Sequence, residues 1–177
     1  IFGSIFFLSQ YFQTVRGLSP LQAGLHTLPW TIVPMFIGPL GGVLGERFGA
    51  RPIIVVGMAM QGVGLIAISQ WFTPTAQYSH IWPALTVAGV GMALVFAPAA
   101  NAVLASVREN QAGQASGVLN SFREVGGVLG VAVLATVFSS NGSYASPQSF
   151  SDGMQPAIII GGLVLLSGAA VGLLIPK

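Results

Sequence analysis

Residues 42–51 read GVLGERFGAR and form a charged interruption between two long segments without charge. No Asp, Glu, Lys or Arg occurs in residues 17–45 or in residues 52–107. A membrane-crossing helix needs about 20 mostly apolar residues, so each flanking segment is long enough to cross. The run is therefore predicted to be a tight turn between two membrane helices, where Gly49 permits a positive φ after the helix end.

The charges of this turn allow two interpretations. Glu46 can accept hydrogen bonds from a nearby helix N-terminus, or it can pair with Arg47 or Arg51. Such a clasp would hold neighbouring helices in one arrangement and release them in another. Alternatively, the three charged residues are a solvated turn on the positively charged side of the membrane.

The composition of the whole chain is typical of a membrane protein. Of its 177 residues, 53% are hydrophobic and 6% are charged, and the mean hydropathy is +0.80. Soluble domains carry about 25% charged residues, so an ordinary soluble protein is excluded, and so is a disordered chain. The absence of cysteine excludes disulfides and thiolate metal sites. A net charge of +2 without a basic cluster gives no basis for nucleic-acid binding.

Six apolar segments are predicted to be transmembrane helices, which makes the fold class all-α integral membrane. Their residues do not alternate as barrel strands would, and turn residues separate them. Ser19-Pro20, for example, reads as an N-cap followed by a proline at the first helical position. The chain begins without Met inside an apolar run, so we expect a piece of a longer protein. The predicted segments cover about residues 1–15, 21–45, 52–71, 81–107, 112–139 and 154–175.

The basic residues predict which loops face the cytoplasm. Because successive helices alternate in direction, loops 2–3 and 4–5 and the C-terminus share one side. That side holds Arg47, Arg51, Arg108 and Lys177, whereas the other holds Arg16. We therefore expect a multi-pass protein of the cell membrane with loops 2–3 and 4–5 and the C-terminus in the cytoplasm.

The run 42–51 resembles a signature of the major facilitator superfamily, Gly-x-Leu-Ala-Asp-Arg-x-Gly-x-Arg-Arg, which lies between the second and third helices of a six-helix half. The run departs from this pattern where Glu46 replaces the usual Asp, where Ala50 stands at a position that is commonly basic, and where Pro52 follows instead of a second basic residue. The matching residues are Gly42, Leu44, Arg47, Gly49 and Arg51.

Three further stretches narrow the resemblance to fourteen-helix drug:proton antiporters of the EmrB/QacA type. Residues 11–29 look like the first loop of the C-terminal half in that branch, residues 89–101 like its fourth helix and residues 113–127 like its fifth. The resemblance implies one half of a major facilitator fold, the C-terminal six-helix bundle, with no cofactor and no enzymatic activity. Its implied partners are the lipid bilayer, the N-terminal half of the same transporter, a small-molecule substrate and the proton.

The fifth segment carries two charges within the predicted membrane span. Arg123 and Glu124 lie about 20 Å along the helix from its start, where a charge costs at least about 2.5–3.5 kcal/mol. Either they handle substrate and protons or they form a structural pair that locks this helix to a neighbour. His26 is a further candidate for proton coupling. Candidate polar groups of the substrate cavity are Gln10, Gln13, Asn101 and Asn120.

Prolines and small residues are predicted to shape the helices. Prolines favour bends that could line or gate a cavity, and glycines four residues apart allow close helix contact. The candidate bends are at Pro29, Pro34, Pro39 and Pro98, and the candidate packing faces contain Gly113, Gly117, Gly126 and Gly130.

The resemblance implies proton-coupled efflux of drugs or other hydrophobic or cationic molecules by alternating access. An uptake symporter or uniporter of the same fold is an alternative that transport direction and ion dependence would separate. A non-transporting scaffold or a channel subunit is an alternative of another class. Rings of polar residues would favour a channel, but the polar residues here are scattered singly over several segments.

Overall fold

Seven α-helices account for most of residues 1–174, the part of the chain that the computed structural model describes. The sequence predicts that segment six ends at about Ile175, and it counts Lys177 among the basic residues that indicate the cytoplasmic side. Both residues lie outside the described part of the chain. The helices are α1 (Phe2–Gln10), α2 (Pro20–Thr31), α3 (Val33–Phe48), α4 (Ala50–Ser69), α5 (Tyr78–Ala105), α6 (Ala112–Asn141) and α7 (Pro147–Gly172).

Five helical stretches in the described residues are long and apolar enough to cross a membrane, with lengths of 20–33 residues. The multi-pass membrane class predicted from the sequence is therefore confirmed. The first segment is shorter, because α1 has nine residues and the π-helix that continues it, Tyr11–Val15, has five. The five stretches are Pro20–Phe48, Ala50–Ser69, Tyr78–Ala105, Glu109–Asn141 and Pro147–Gly172.

The second predicted segment is a pair of helices that meet at Ile32. Pro29 lies inside α2, Pro34 lies in the first turn of α3, and Pro39 lies inside α3. A proline cannot donate its backbone nitrogen to the helix ladder, so this spacing weakens the ladder around Ile32. The predicted start of this segment, with Ser19 as the N-cap, is confirmed, because Ser19 and Gln22 form a reciprocal pair of hydrogen bonds at the beginning of α2.

The predicted start of the last helix, residue 154, is wrong by seven residues. α7 begins at Pro147, capped by the Ser146 hydroxyl, which accepts a hydrogen bond of 3.1 Å from the Ser149 backbone. Polarity suggested a loop here, but a capping serine followed by proline starts a helix regardless of the polar residues that follow. Asp152 then accepts a hydrogen bond of 2.8 Å from Gln148 one turn earlier.

Other predicted boundaries shift by two or three residues. α4 begins at Ala50 rather than at residue 52, because a proline in the first turn leaves no interior hydrogen bond unmade. It ends at Ser69 rather than at residue 71. α5 covers Tyr78–Ala105 instead of 81–107, and α6 ends at Asn141 instead of 139.

The packing centres on α4, which lies against α5 on one side and α7 on the other. Glycines allow these close approaches. A Cβ added at Gly91 of α5 would lie 2.5 Å from the Gly57 carbonyl oxygen of α4, and one at Gly62 would lie 2.9 Å from the Gly162 carbonyl oxygen of α7. α3 packs on α5, and α6 packs on α7 and α1.

The loop between α4 and α5 is attached to the end of the first helical segment. The Tyr11 hydroxyl donates a hydrogen bond of 2.6 Å to the Thr73 carbonyl oxygen, and the Arg16 guanidinium donates to the Ala76 carbonyl oxygen. The π-helical turn lies between these two donors, and the Arg16 backbone N–H closes it on the Tyr11 carbonyl oxygen at 3.1 Å.

We predict that Gly91→Ala destabilises the protein by about 1–3 kcal/mol, because the new methyl group overpacks the α4–α5 contact. Thermal unfolding of the detergent-solubilised protein measures this. Gly24→Ala is the matched control, since a Cβ there meets no heavy atom within 4 Å. Equal unfolding temperatures for the two variants would contradict the close packing.

Candidate functional site

The turn between α3 and α4 depends on Gly49, as predicted. Gly49 ends α3 with φ 90° and ψ 145°, a backbone conformation that side chains disfavour. Arg47 lies with its guanidinium carbon 5.4 Å from the centre of the Phe48 ring, and Arg51 donates to the Leu173 carbonyl oxygen at the end of α7. Each arginine therefore has a contact other than the Glu46 carboxylate that the sequence suggested.

Glu46 is exposed and borders a cavity of about 400 Å³ between α3 and α5. Asn101 of α5 is the second polar side chain in its wall, beside Pro98. Glycine lets α3 approach here, since a Cβ at Gly45 would lie 3.1 Å from the Pro98 ring. The structure thus brings together residues predicted for the turn, a bend and the substrate cavity. The wall consists of Gly42, Gly45, Glu46, Ala50, Pro98, Asn101, Ala102, Leu104 and Ala105.

Arg123 is held between α6 and α5. Its guanidinium carbon lies 4.7 Å from the centre of the Phe96 ring, and Nη2 donates a hydrogen bond of 3.4 Å to the Phe96 carbonyl oxygen. Nη1 lies 3.5 Å from the amide oxygen of Asn120, one turn earlier on α6. These three partners are an aromatic ring, a backbone carbonyl and a neutral amide. The first two belong to Phe96, so the contacts of Arg123 connect α6 to its neighbour α5.

Glu124 faces a different space from Arg123. It is exposed and borders an open, largely apolar cavity of about 480 Å³ on the side of α6 that faces Phe2 of α1. Adjacent helical residues point about 100° apart, which explains the separation of the two charges. The other residues of this wall are Gly127, Val128, Val131 and Ala132.

His26 belongs to a third group of residues. Its ring lies between Phe12 and Tyr78, with ring centres 5.3 Å and 4.5 Å away. Nδ1 lies 2.8 Å from the Gln22 carbonyl oxygen, and the Tyr78 hydroxyl donates to the His26 carbonyl oxygen at 3.0 Å. His26 borders neither of the two cavities described above.

The two glutamines of the first segment make local contacts. Gln13 donates to the Ser9 hydroxyl at 3.0 Å, and the Gln10 carbonyl oxygen accepts a hydrogen bond of 2.6 Å from Thr14. Both glutamines are half-buried and border neither cavity. Within residues 1–174, no three His, Asp or Glu side chains are placed to hold a metal ion.

The predicted glycine packing face of α6 is only partly covered by the described residues, because the Gly130 carbonyl oxygen would lie 3.1 Å from a Cβ at Gly3 of α1. A Cβ added at Gly113, Gly117, Gly126 or Gly130 would meet no heavy atom within 4 Å. Large apolar side chains of the same helix are also exposed, including Phe122 at 72% and Val128 at 68%. α6 therefore presents an unpartnered apolar surface.

Sequence reasoning missed Gln61 on α4. Its side chain is fully buried, and neither its amide nitrogen nor its amide oxygen has a hydrogen-bond partner in the described residues. Its backbone nitrogen lies 2.6 Å from the place where a Cβ of Gly91 would be, so Gln61 sits at the closest α4–α5 approach. The sequence feature that could have drawn attention to Gln61 is its position as a single polar residue within an apolar segment.

Comparison with known proteins gives a match over the whole chain. The sequence model of a family described as the Major Facilitator Superfamily matches residues 1–177. Among curated proteins, the Tetracenomycin C resistance and export protein of Streptomyces glaucescens is 29% identical over 157 residues, which are 88% of this chain and 29% of that protein.

Two mycobacterial proteins are similar as well. The multidrug efflux pump LfrA of Mycolicibacterium smegmatis is 33% identical over 156 residues, which are 88% of this chain and 30% of that protein. The multidrug resistance protein Stp of Mycobacterium tuberculosis is 31% identical over 140 residues, 79% of this chain and 26% of that protein. The chain thus spans less than a third of the length of these relatives.

We predict that Gly49→Ala lowers stability by about 1–3 kcal/mol, because alanine is strained at this positive φ. The unfolding temperature in detergent measures the loss. Gly38→Ala provides the comparison, since Gly38 lies inside the same helix α3 but has no positive φ and no neighbour within 4 Å of an added Cβ. A Gly49→Ala protein as stable as Gly38→Ala would refute the strain.

Proposed function

The chain belongs to the major facilitator superfamily, and from this membership we propose that it is part of a transporter that exports drugs or other hydrophobic or cationic small molecules in exchange for protons. The observation that carries the proposal is the family match over the whole chain, on helices of membrane-spanning length. The relatives named above are resistance, export and efflux proteins, which supports export as the direction.

We further propose that the chain is the C-terminal six-helix half of the transporter, in the fourteen-helix branch, with α1 and its π-helical turn as part of the first helix. The chain covers 26–30% of the three relatives, so it matches a part of each of these longer proteins. Transporters of this kind bind substrate between two halves near the middle of the membrane and rock between inward-open and outward-open states.

The unpartnered surface of α6 supports this arrangement. Gly113, Gly117 and Gly126, together with the exposed valines and Phe122, offer close-packing positions, since a Cβ at any of the three glycines would meet no described heavy atom within 4 Å. Small residues allow two helix backbones to approach in lipid, where the hydrophobic effect does not drive association. We propose that the N-terminal half covers the α6 surface and the exposed part of α3, and that the α3–α4 turn moves when the halves rock.

The cavity beside Glu124 is the proposed substrate region. A carboxylate with an apolar wall that contains the Phe2 ring suits a lipophilic cation, because the acid supplies charge and the wall supplies contact area. Asn120 and Arg123 occupy the α5-facing side of the same helix. Asn101 and Glu46 border the separate cavity near the α3–α4 turn, where they would meet other parts of the transporter.

Glu124 is also the proposed site of proton coupling, with His26 as a second candidate. An exchange of substrate for protons needs a group that loses its proton when the cation binds. A carboxylate at mid-membrane can do this, since protonation removes the cost of an unpaired charge there. His26 lies in an aromatic setting away from this cavity, so its role in coupling would be indirect.

We predict that Glu124→Gln lowers proton-driven ethidium efflux by the intact protein at least about tenfold, because the carboxylate compensates the cation in an apolar setting. Uptake by energised inside-out vesicles measures the effect. Asp152→Asn, which neutralises an exposed acid already bonded to Gln148, should stay within about twofold. Normal efflux by Glu124→Gln at wild-type abundance would remove Glu124 from the mechanism.

Single cysteines test the proposed sidedness, because the chain has no cysteine of its own. We expect Thr75→Cys and Tyr144→Cys to react with an impermeant maleimide in intact cells. Phe48→Cys and Glu109→Cys should react only after permeabilisation, since they lie beside the arginine-bearing loops. All four residues are exposed. Labelling of positions 48 and 109 on opposite faces would overturn the topology.

A further inference from the structure

Phe96 of α5 contacts Arg123, the positively charged residue of α6. Its ring lies 4.7 Å from the guanidinium carbon of Arg123, and its carbonyl oxygen lies 3.4 Å from Nη2. One residue thus offers Arg123 both a π face and a hydrogen-bond acceptor. The guanidinium is attracted by the π face of the ring, and the carbonyl oxygen accepts from one of its N–H groups.

The stacking determines where the positive charge of α6 lies. Arg123 is half-buried on the α5 side, whereas Glu124 is exposed in the cavity beside Phe2. The two charges are neighbours in sequence, yet the structure fixes the cation on Phe96 and Asn120. The carboxylate is consequently left without this cation as a partner.

We infer that Phe96 is a positioning residue, which holds Arg123 on α5 so that its charge does not offset Glu124 in the substrate region. This inference rests on the proposed transport function. Without the ring, the guanidinium keeps only the long contacts to the backbone carbonyl of residue 96 and to Asn120, and we expect it to turn more often toward water in the open cavity. Its positive charge would there reduce the attraction of Glu124 for a cation and repel the cation itself.

A positioning role for Phe96 predicts different effects on substrate binding and on the transport rate. Loss of Phe96 should weaken the binding of a cationic substrate but leave the transport step itself largely intact, because Phe96 touches Arg123 and not the cavity beside Glu124. A residue that served only to pack α5 on α6 would instead lower abundance or maximal rate. It would also act independently of whether position 123 is an arginine.

The test uses the intact transporter reconstituted in liposomes, with ethidium as the probe. We expect Phe96→Leu to raise the KM for ethidium and its equilibrium Kd about fivefold, with the maximal rate within about twofold, because a leucine keeps the backbone carbonyl at position 96 but lacks the π face that attracts the guanidinium. Phe96→Trp keeps a π face and should restore both constants. In an Arg123→Ala background, Phe96→Leu should change neither constant further, because no cation remains to be held.

Three results would overturn the inference. They are an effect of Phe96→Leu that persists in the Arg123→Ala background, a Phe96→Trp protein as impaired as Phe96→Leu, and a fall in maximal rate at unchanged KM. Wild-type protein that binds ethidium without exporting it would refute the proposed transport, while the Kd values would still test Phe96. Wild-type protein that neither binds nor exports any of a panel of cationic and neutral dyes would refute both.

Discussion

Contact between helix backbones at glycine residues is the interaction on which this bundle depends. α5 meets α4 where Gly91 faces Gly57, and α7 meets α4 where Gly162 faces Gly62. In lipid, apolar side chains gain little by leaving the solvent, so helices associate through close van der Waals contact. The contact also explains the burial of Gln61, whose amide lies at the same crossing. α4, α5 and α7 therefore form the fixed part of the described chain.

α6 is built differently from these three helices. It also carries glycines four residues apart, but a Cβ at Gly113, Gly117 or Gly126 would meet no described heavy atom within 4 Å, and its charges lie on two sides of one turn. Glycines of α4 and α5 thus pack against each other, whereas these three glycines of α6 have no close neighbour among the described residues. This contrast between a packed layer and an open face fits a member of a family whose proteins move one half against the other.

The sequence predicted the features that depend on local chemistry. Ser19 and Pro20 start a helix, Gly49 takes a positive φ, and the long uncharged segments are helices of spanning length, because each follows from a few neighbouring residues. Features that depend on pairing between distant residues were not predictable. Nothing local shows that Gly91 faces Gly57, that Arg51 reaches Leu173, or that Arg123 rests on Phe96. The predicted start of α7 was too late because the polar residues before position 154 were interpreted as a loop. Ser146 and Pro147, a capping serine followed by proline, indicate a helix start instead.

The attachment of the α4–α5 loop has a consequence for which residues there can change. Tyr11 and Arg16 supply the donors, but the acceptors are the carbonyl oxygens of Thr73 and Ala76, which every amino acid possesses. Exposed side chains of the loop, such as those of Thr73 and Thr75, can therefore change while the loop keeps these two hydrogen bonds, whereas the buried Phe72 and Ala76 are constrained by packing. Tyr11 and Arg16 cannot change in the same way, because each hydrogen bond is donated by the side chain and is lost when that side chain is replaced.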